Sequence, residues 1–160
     1  MRYLLTNDDG FYARGLSALY EELSQDADCL VVAPEVEQSA VGHAITISRP
    51  LMVRRAQKNG RFRGYAVAGT PADCVKIGIR ELSDQPIDLV VSGINRGANV
   101  GVNVLYSGTV SAATCGDSII TEISLLYFRA DCVRLWLPIK VYFPSITVIF
   151  VWVVVEGESR

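Results

Sequence analysis

The stretch Arg2 to Gly10, RYLLTNDDG, decides the fold: a short apolar strand runs straight into an asparagine, two adjacent carboxylates and a glycine. Beyond it, Leu16, Leu19, Tyr20 and Leu23 recur at helical spacing through GLSALYEELSQ, so the chain opens as strand, polar loop and helix. The same alternation continues outward. Cys29 to Ala33 (CLVVA) reads as a second buried strand stopped by Pro34, and Ile87 to Val91 (IDLVV) as a third. Between them Pro71, placed behind Thr70, suits the first position of a helix whose apolar face is Ala72, Val75, Ile79 and Leu82. Strands that alternate with helices in this way predict an α/β fold with a mostly parallel sheet. The segments AITIS and LMVRR flank Arg49-Pro50, and RFRGYAVAG follows an Asn59-Gly60 turn, which predicts a β-hairpin excursion from the main sheet.

A chain of 160 residues suits one ordinary domain with a single core. Half of its residues are apolar and 20% are charged, which excludes intrinsic disorder, collagen and disulfide-rich scaffolds. A net charge of −2 offers no electrostatic footprint for a polyphosphate backbone, so bulk nucleic acid is not an expected partner. Cys29, Cys74, Cys115 and Cys132 form no C-x-x-C pair and read as reduced thiols. The start carries too short an apolar run for a signal peptide, and the expectation is a cytoplasmic chain that begins as folded protein.

Composition shifts after Ala113. Residues 114–160 hold both tryptophans and half of the aromatic residues, and from Leu135 to Val155 the only charge is Lys140. Ile146 to Val155 (ITVIFVWVVV) is rich in β-branched and aromatic residues and too short for a spanning helix, so a buried or aggregating strand is predicted and no membrane partner is expected. The expected organisation is therefore a domain over 1–113 and a divergent apolar tail over 114–160, the join reading as a frameshift or similar coding disruption.

In open parallel sheets the working groups gather beyond the carboxyl ends of the strands. Here those ends lead into Asn7-Asp8-Asp9-Gly10, into PEVEQSAVGH and into SGINRGANVGVNVLYSGT, all polar and glycine-bearing. Adjacent carboxylates in a confined place repel unless a cation or a proton lies between them, and a divalent metal satisfies that need. Asn95 and Ser39 add oxygen ligands from the other two loops, a set suited to Mg²⁺ or Mn²⁺, whereas His43 alone is too little nitrogen for zinc. Gly97 lets backbone amides approach an anion, and Ser107, Gly108 and Thr109 precede a run of small residues that reads as a helix start facing phosphate. Asp8-Asp9-Gly10 also suits a plain turn and helix cap. The usual nucleotide fingerprints and the G-x-S-x-G elbow are absent from the sequence. His43 reads as a polar loop residue, and Arg49, Arg54, Arg55, Arg61 and Arg63 as a solvated or subunit-contacting face.

MRYLLTNDDG with Ala13 and Gly15, VVAPEVEQSAVGHAIT, GTPADCV, VVSGINRGANVG and YSGTVSAA, taken in this order, resemble the survival protein SurE family over residues 1–113. The resemblance implies a Rossmann-like three-layer sandwich that releases phosphate from nucleoside 5'- and 3'-monophosphates with one divalent metal per subunit, Mg²⁺ or Mn²⁺. It places the metal on Asp8, Asp9, Ser39 and Asn95, with Asp8 or Asp9 handling the attacking water. It matches Ser107, Gly108 and Thr109 to the phosphate-side loop, and Asn95 and Gly97 are expected to bind the phosphate with them. Family members form dimers or tetramers through C-terminal segments, and from Thr114 this chain departs from their pattern, so its C-terminal part is atypical or truncated. The competing expectation is an inactive remnant that serves at most as a binding or association module.

Overall fold

A computed structural model describes residues 1–38, 41–42, 44–58, 60, 62–96, 107–114, 120–129 and 146–154. The elements run β1 (Arg2–Thr6), α1 (Arg14–Leu23), β2 (Asp28–Pro34), β3 (Val53–Lys58), β4 (Phe62–Val67), α2 (Pro71–Ile77), β5 (Leu89–Arg96), α3 (Gly108–Thr114), β6 (Ile120–Arg129) and β7 (Ile146–Val154). A π-helical turn, Gly78–Leu82, extends α2.

Among the described residues, the strands form one seven-stranded sheet in the order β3-β4-β2-β1-β5-β7-β6. Every pairing is parallel except β3 with β4. Period-two alternation explains the layers on either side. Leu4, Val32 and Val90 pack with Cys74, Val75 and Ala112, on the α2 and α3 face, whereas Leu5, Val31 and Val91 pack with Phe11, Leu16 and Leu19, on the α1 face. Helices thus cover both faces, as the α/β three-layer reading requires.

Thr70 caps α2 through a reciprocal box: its side chain accepts from the Asp73 N–H at 3.1 Å, and the Asp73 carboxylate accepts from the Thr70 N–H at 2.9 Å. The same carboxylate accepts from the Thr46 N–H at 3.0 Å, which ties the connection after β2 to the helix start. That tie bears on AITIS, for which strand alternation was expected. Ala44 to Ile47 lie outside any strand, with Ile47 91% exposed, because the Thr46 N–H is spent on Asp73 instead of a ladder. The hairpin is present as β3 and β4, and β4 joins it to the main sheet through parallel pairing with β2.

The Ile146 run forms a strand, as its β-branched composition predicts. β7 lies beside β5 with Val90 opposite Val148, and β6 pairs on its far side. Among the described residues, no helix is long and apolar enough to cross a membrane.

Thr6 and Ser92 are register partners across β1 and β5, both fully buried, and neither hydroxyl has a hydrogen-bond partner among the described residues. A buried hydroxyl without a partner costs about 1–3 kcal/mol. Thr6→Val, which keeps the branched shape, is therefore expected to raise the midpoint of thermal unfolding. A lowered midpoint would show that the hydroxyl is satisfied in the folded protein.

Candidate active site

β1 has β2 on one side and β5 on the other, so the connections leaving β1 and β5 diverge there. Such a switch point opens a crevice at the carboxyl ends of the strands. Asn7 to Gly10 enter it from β1. Asn7 closes its own turn, accepting from the Gly10 N–H and donating to the Gly10 carbonyl, each at 3.2 Å. Gly10 sits at φ +98°, a left-handed conformation that favours glycine. The turn aims Asp8 inward, 7% exposed, while Asp9 is half-buried.

Two other segments close on Asp8. The Gln38 N–H donates to the Asp8 main-chain carbonyl at 2.8 Å, which brings the start of the connection after β2 over the β1 loop. From α3, the Thr109 hydroxyl donates to Asp8 Oδ1 at 2.7 Å, with both residues buried. Gly108 permits this approach, since a Cβ there would lie 2.9 Å from the Asp8 Cβ and 3.3 Å from the Gln38 carbonyl oxygen. Ser107, also buried, accepts the Ser111 N–H through its main-chain carbonyl.

Of the residues expected from sequence, the structure brings Asp8, Gly108 and Thr109 together, with Asp9 and Ser107 adjacent to them in the chain. Asn95 lies near the end of β5, opposite Trp152 of β7; its side chain, like Ser39, His43 and Gly97, falls outside the described residues. Sequence reasoning missed Gln38 and the tie from Asp73 to Thr46. The Gln38 contact is made by main chain and carries no side-chain signature. Asp73 had half a signal in the Thr70-to-Asp73 capping spacing, but its second partner is distant in the chain.

Burial pushes the Asp8 carboxyl pKa up, hydrogen bonds from the Thr109 hydroxyl and main chain pull against that rise, and the negative charge on Glu37 adds to it. Arg2 pairs with Asp28 and Asp84, and Arg54 with Glu35, so neither of these cations compensates Asp8. A buried carboxylate beside a second carboxylate, with no cationic side chain on it among the described residues, fits a divalent cation. Among the described residues, no group of three or more His, Cys, Asp or Glu could hold a metal, and oxygen ligands of other kinds suit the same cation. The amide of Asn95 and the hydroxyl of Ser39 have that chemistry.

A doubly wound α/β sheet with a buried acidic group at its switch point defines the class of this protein. More specifically, the chain belongs to the SurE family: the family model described as survival protein SurE matches residues 3–123, running past the compositional join at Ala113. Over 116 residues it is 82% identical to a protein named 5'-nucleotidase SurE from Syntrophus aciditrophicus, covering 72% of this chain and 44% of that one. It is 65% identical over 114 residues to the protein of the same name from Syntrophobacter fumaroxidans, covering 71% of this chain and 46% of the other. Among solved structures, the SurE protein from Aquifex aeolicus superposes with a TM-score of 0.66 at 42% identity, covering 80% of this chain and 51% of that chain. The chain spans about half the length of the relatives it matches.

Proposed function

We propose that this chain is a metal-dependent phosphohydrolase that releases phosphate from nucleoside 5'- and 3'-monophosphates. The observation that carries the reading is Asp8: a buried carboxylate at the switch point, with a raised pKa, no cationic side-chain partner among the described residues, and Asp9 beside it. Its relatives are named 5'-nucleotidase, which supports the 5'-monophosphate part of the reading.

Asp8 and Asp9, with Ser39 and Asn95, would hold one Mg²⁺ or Mn²⁺ ion. Such an ion supplies Lewis-acid stabilisation of charge on a phosphoryl group. The protein's own part is positioning. Asp8 is held by Thr109, and either Asp8 or Asp9 would orient the attacking water and take its proton. Asn95, Gly97, Ser107 and Gly108 supply polar groups for the phosphate, and the resemblance adds Thr109 to that set. Cys29 and Cys74 are free thiols, which suits a cytoplasmic protein.

The test is phosphate release from a nucleoside monophosphate by the 160-residue chain with Mn²⁺ or Mg²⁺, then with chelator. Turnover that chelator abolishes and added metal restores is the expected result. Turnover indifferent to chelator contradicts metal dependence, and Mn²⁺ binding without turnover leaves a binding module and overturns the hydrolase.

A further inference from the structure

We infer that Thr109 is a positioning residue for Asp8 and not a ligand of the substrate phosphate. The inference deepens the metal-site reading above and rests on it.

A threonine hydroxyl has one proton to donate. Here it lies on Asp8 Oδ1 at 2.7 Å, between two buried residues, and the Thr109 main-chain N–H adds a second bond to the same carboxyl group. Phosphate oxygens need donors, so the hydroxyl cannot serve a phosphate without leaving Asp8. Leaving is costly, because Asp8 is already buried near the charge on Glu37, and its bonds from Thr109 are what offset that burial. The absence of a Cβ at Gly108 is a second sign of design for this contact, since any side chain there would press into the Asp8 Cβ and the Gln38 carbonyl. With Oδ1 engaged by the hydroxyl, Oδ2 has no side-chain donor among the described residues. Thr109 thus sets the rotamer of Asp8, as outer groups do around metal ligands generally.

Two roles for Thr109 give opposite results in the full 160-residue chain. Mn²⁺ affinity is titrated by electron paramagnetic resonance, and inorganic phosphate is then titrated against the Mn²⁺-saturated protein. If Thr109 positions Asp8, Thr109→Val weakens Mn²⁺ binding by about 10- to 100-fold, the usual effect of losing an outer-shell hydrogen bond. Phosphate affinity at saturating Mn²⁺ stays unchanged, and Thr109→Ser restores Mn²⁺ affinity. Thr109→Ala, which crowds nothing, gives the same reading should the valine variant fail to fold. Unchanged Mn²⁺ affinity in folded Thr109→Val or Thr109→Ala overturns the inference, and so does a serine variant that fails to restore it. Asp8→Asn separates the two levels: if it binds Mn²⁺ as well as the wild type, the metal site itself is misassigned.

Discussion

Asp8→Asn is expected to abolish metal-dependent phosphate release and, in the same molecule, to raise the thermal stability of the metal-free protein. The two effects have one cause. Asp8 is 7% exposed and its charge is opposed by burial and by Glu37, so in the metal-free state the ionised carboxylate is a destabilising element kept for function. Asparagine retains the oxygen that accepts the Thr109 hydroxyl and discards the charge. Turnover should fall by roughly 10²–10³-fold or more, the scale of removing one preorganised electrostatic group from a reacting centre. Metal-free stability should rise by about 0.5–2 kcal/mol, the usual gain when a strained functional group is relieved.

The pH dependence has a definite sign. A carboxyl with a raised folded pKa binds more protons folded than unfolded, so its contribution to stability is present below its unfolded pKa and is lost as pH rises through the folded value. The stability gap between Asp8→Asn and wild type should therefore be widest at neutral pH and close on acidification. Saturating Mn²⁺ should reverse the gap at neutral pH, because only the wild type gains binding energy. Calorimetry with metal and with chelator reads all of this. A metal-free Asp8→Asn protein less stable than the wild type at pH 7 would mean that its charge is already compensated.

The second large effect is expected at Gly15. In α1 an alanine is ordinarily better than glycine by about 1 kcal/mol. At Gly15 that gain is overwhelmed, since a Cβ would lie 2.1 Å from the Ile94 carbonyl oxygen and 3.0 Å from its carbon. Both are backbone atoms and cannot swing aside. Gly15→Ala must push α1 away from β5 and is expected to cost about 3 kcal/mol or more, the upper range for forcing atoms into a packed region. Because Ile94 immediately precedes Asn95, the displacement reaches the site as well, and metal affinity should fall in whatever protein remains folded. Urea denaturation measures the loss, with Ala18→Gly, at an exposed position of the same helix, as the comparison. A loss no greater in Gly15→Ala than in Ala18→Gly would show that the helix and β5 are less closely packed than they stand here.

What the sequence determined by itself was set by short-range chemistry. Short apolar runs in RYLLT, CLVVA and IDLVV and helical spacing from Leu16 to Leu23 define strands and a helix whatever surrounds them, and Thr70-Pro71 with Asp73 starts α2. The loop positions of Asp8 and Asp9 follow, since a parallel sheet sends its polar connections to one end. Even the strand at Ile146 is a local result, because a β-branched run of that length has few other conformations open to it.

Tertiary structure decided matters that depend on partners distant in the chain. Nothing in AITIS reveals that its Thr46 N–H belongs to Asp73, so alternation there suggested a strand that does not form. Strand order is likewise invisible locally: β7 lies between β5 and β6, and β4 extends the sheet from β2, through ladders between residues tens of positions apart. The same holds at the site. Spacing could gather Asp8 and Thr109 near one crevice, but only packing brought one hydroxyl within 2.7 Å of one carboxylate oxygen, across a gap that glycine leaves open. A sequence lists which donors and acceptors exist, and only the fold decides which of them spend their protons on one another.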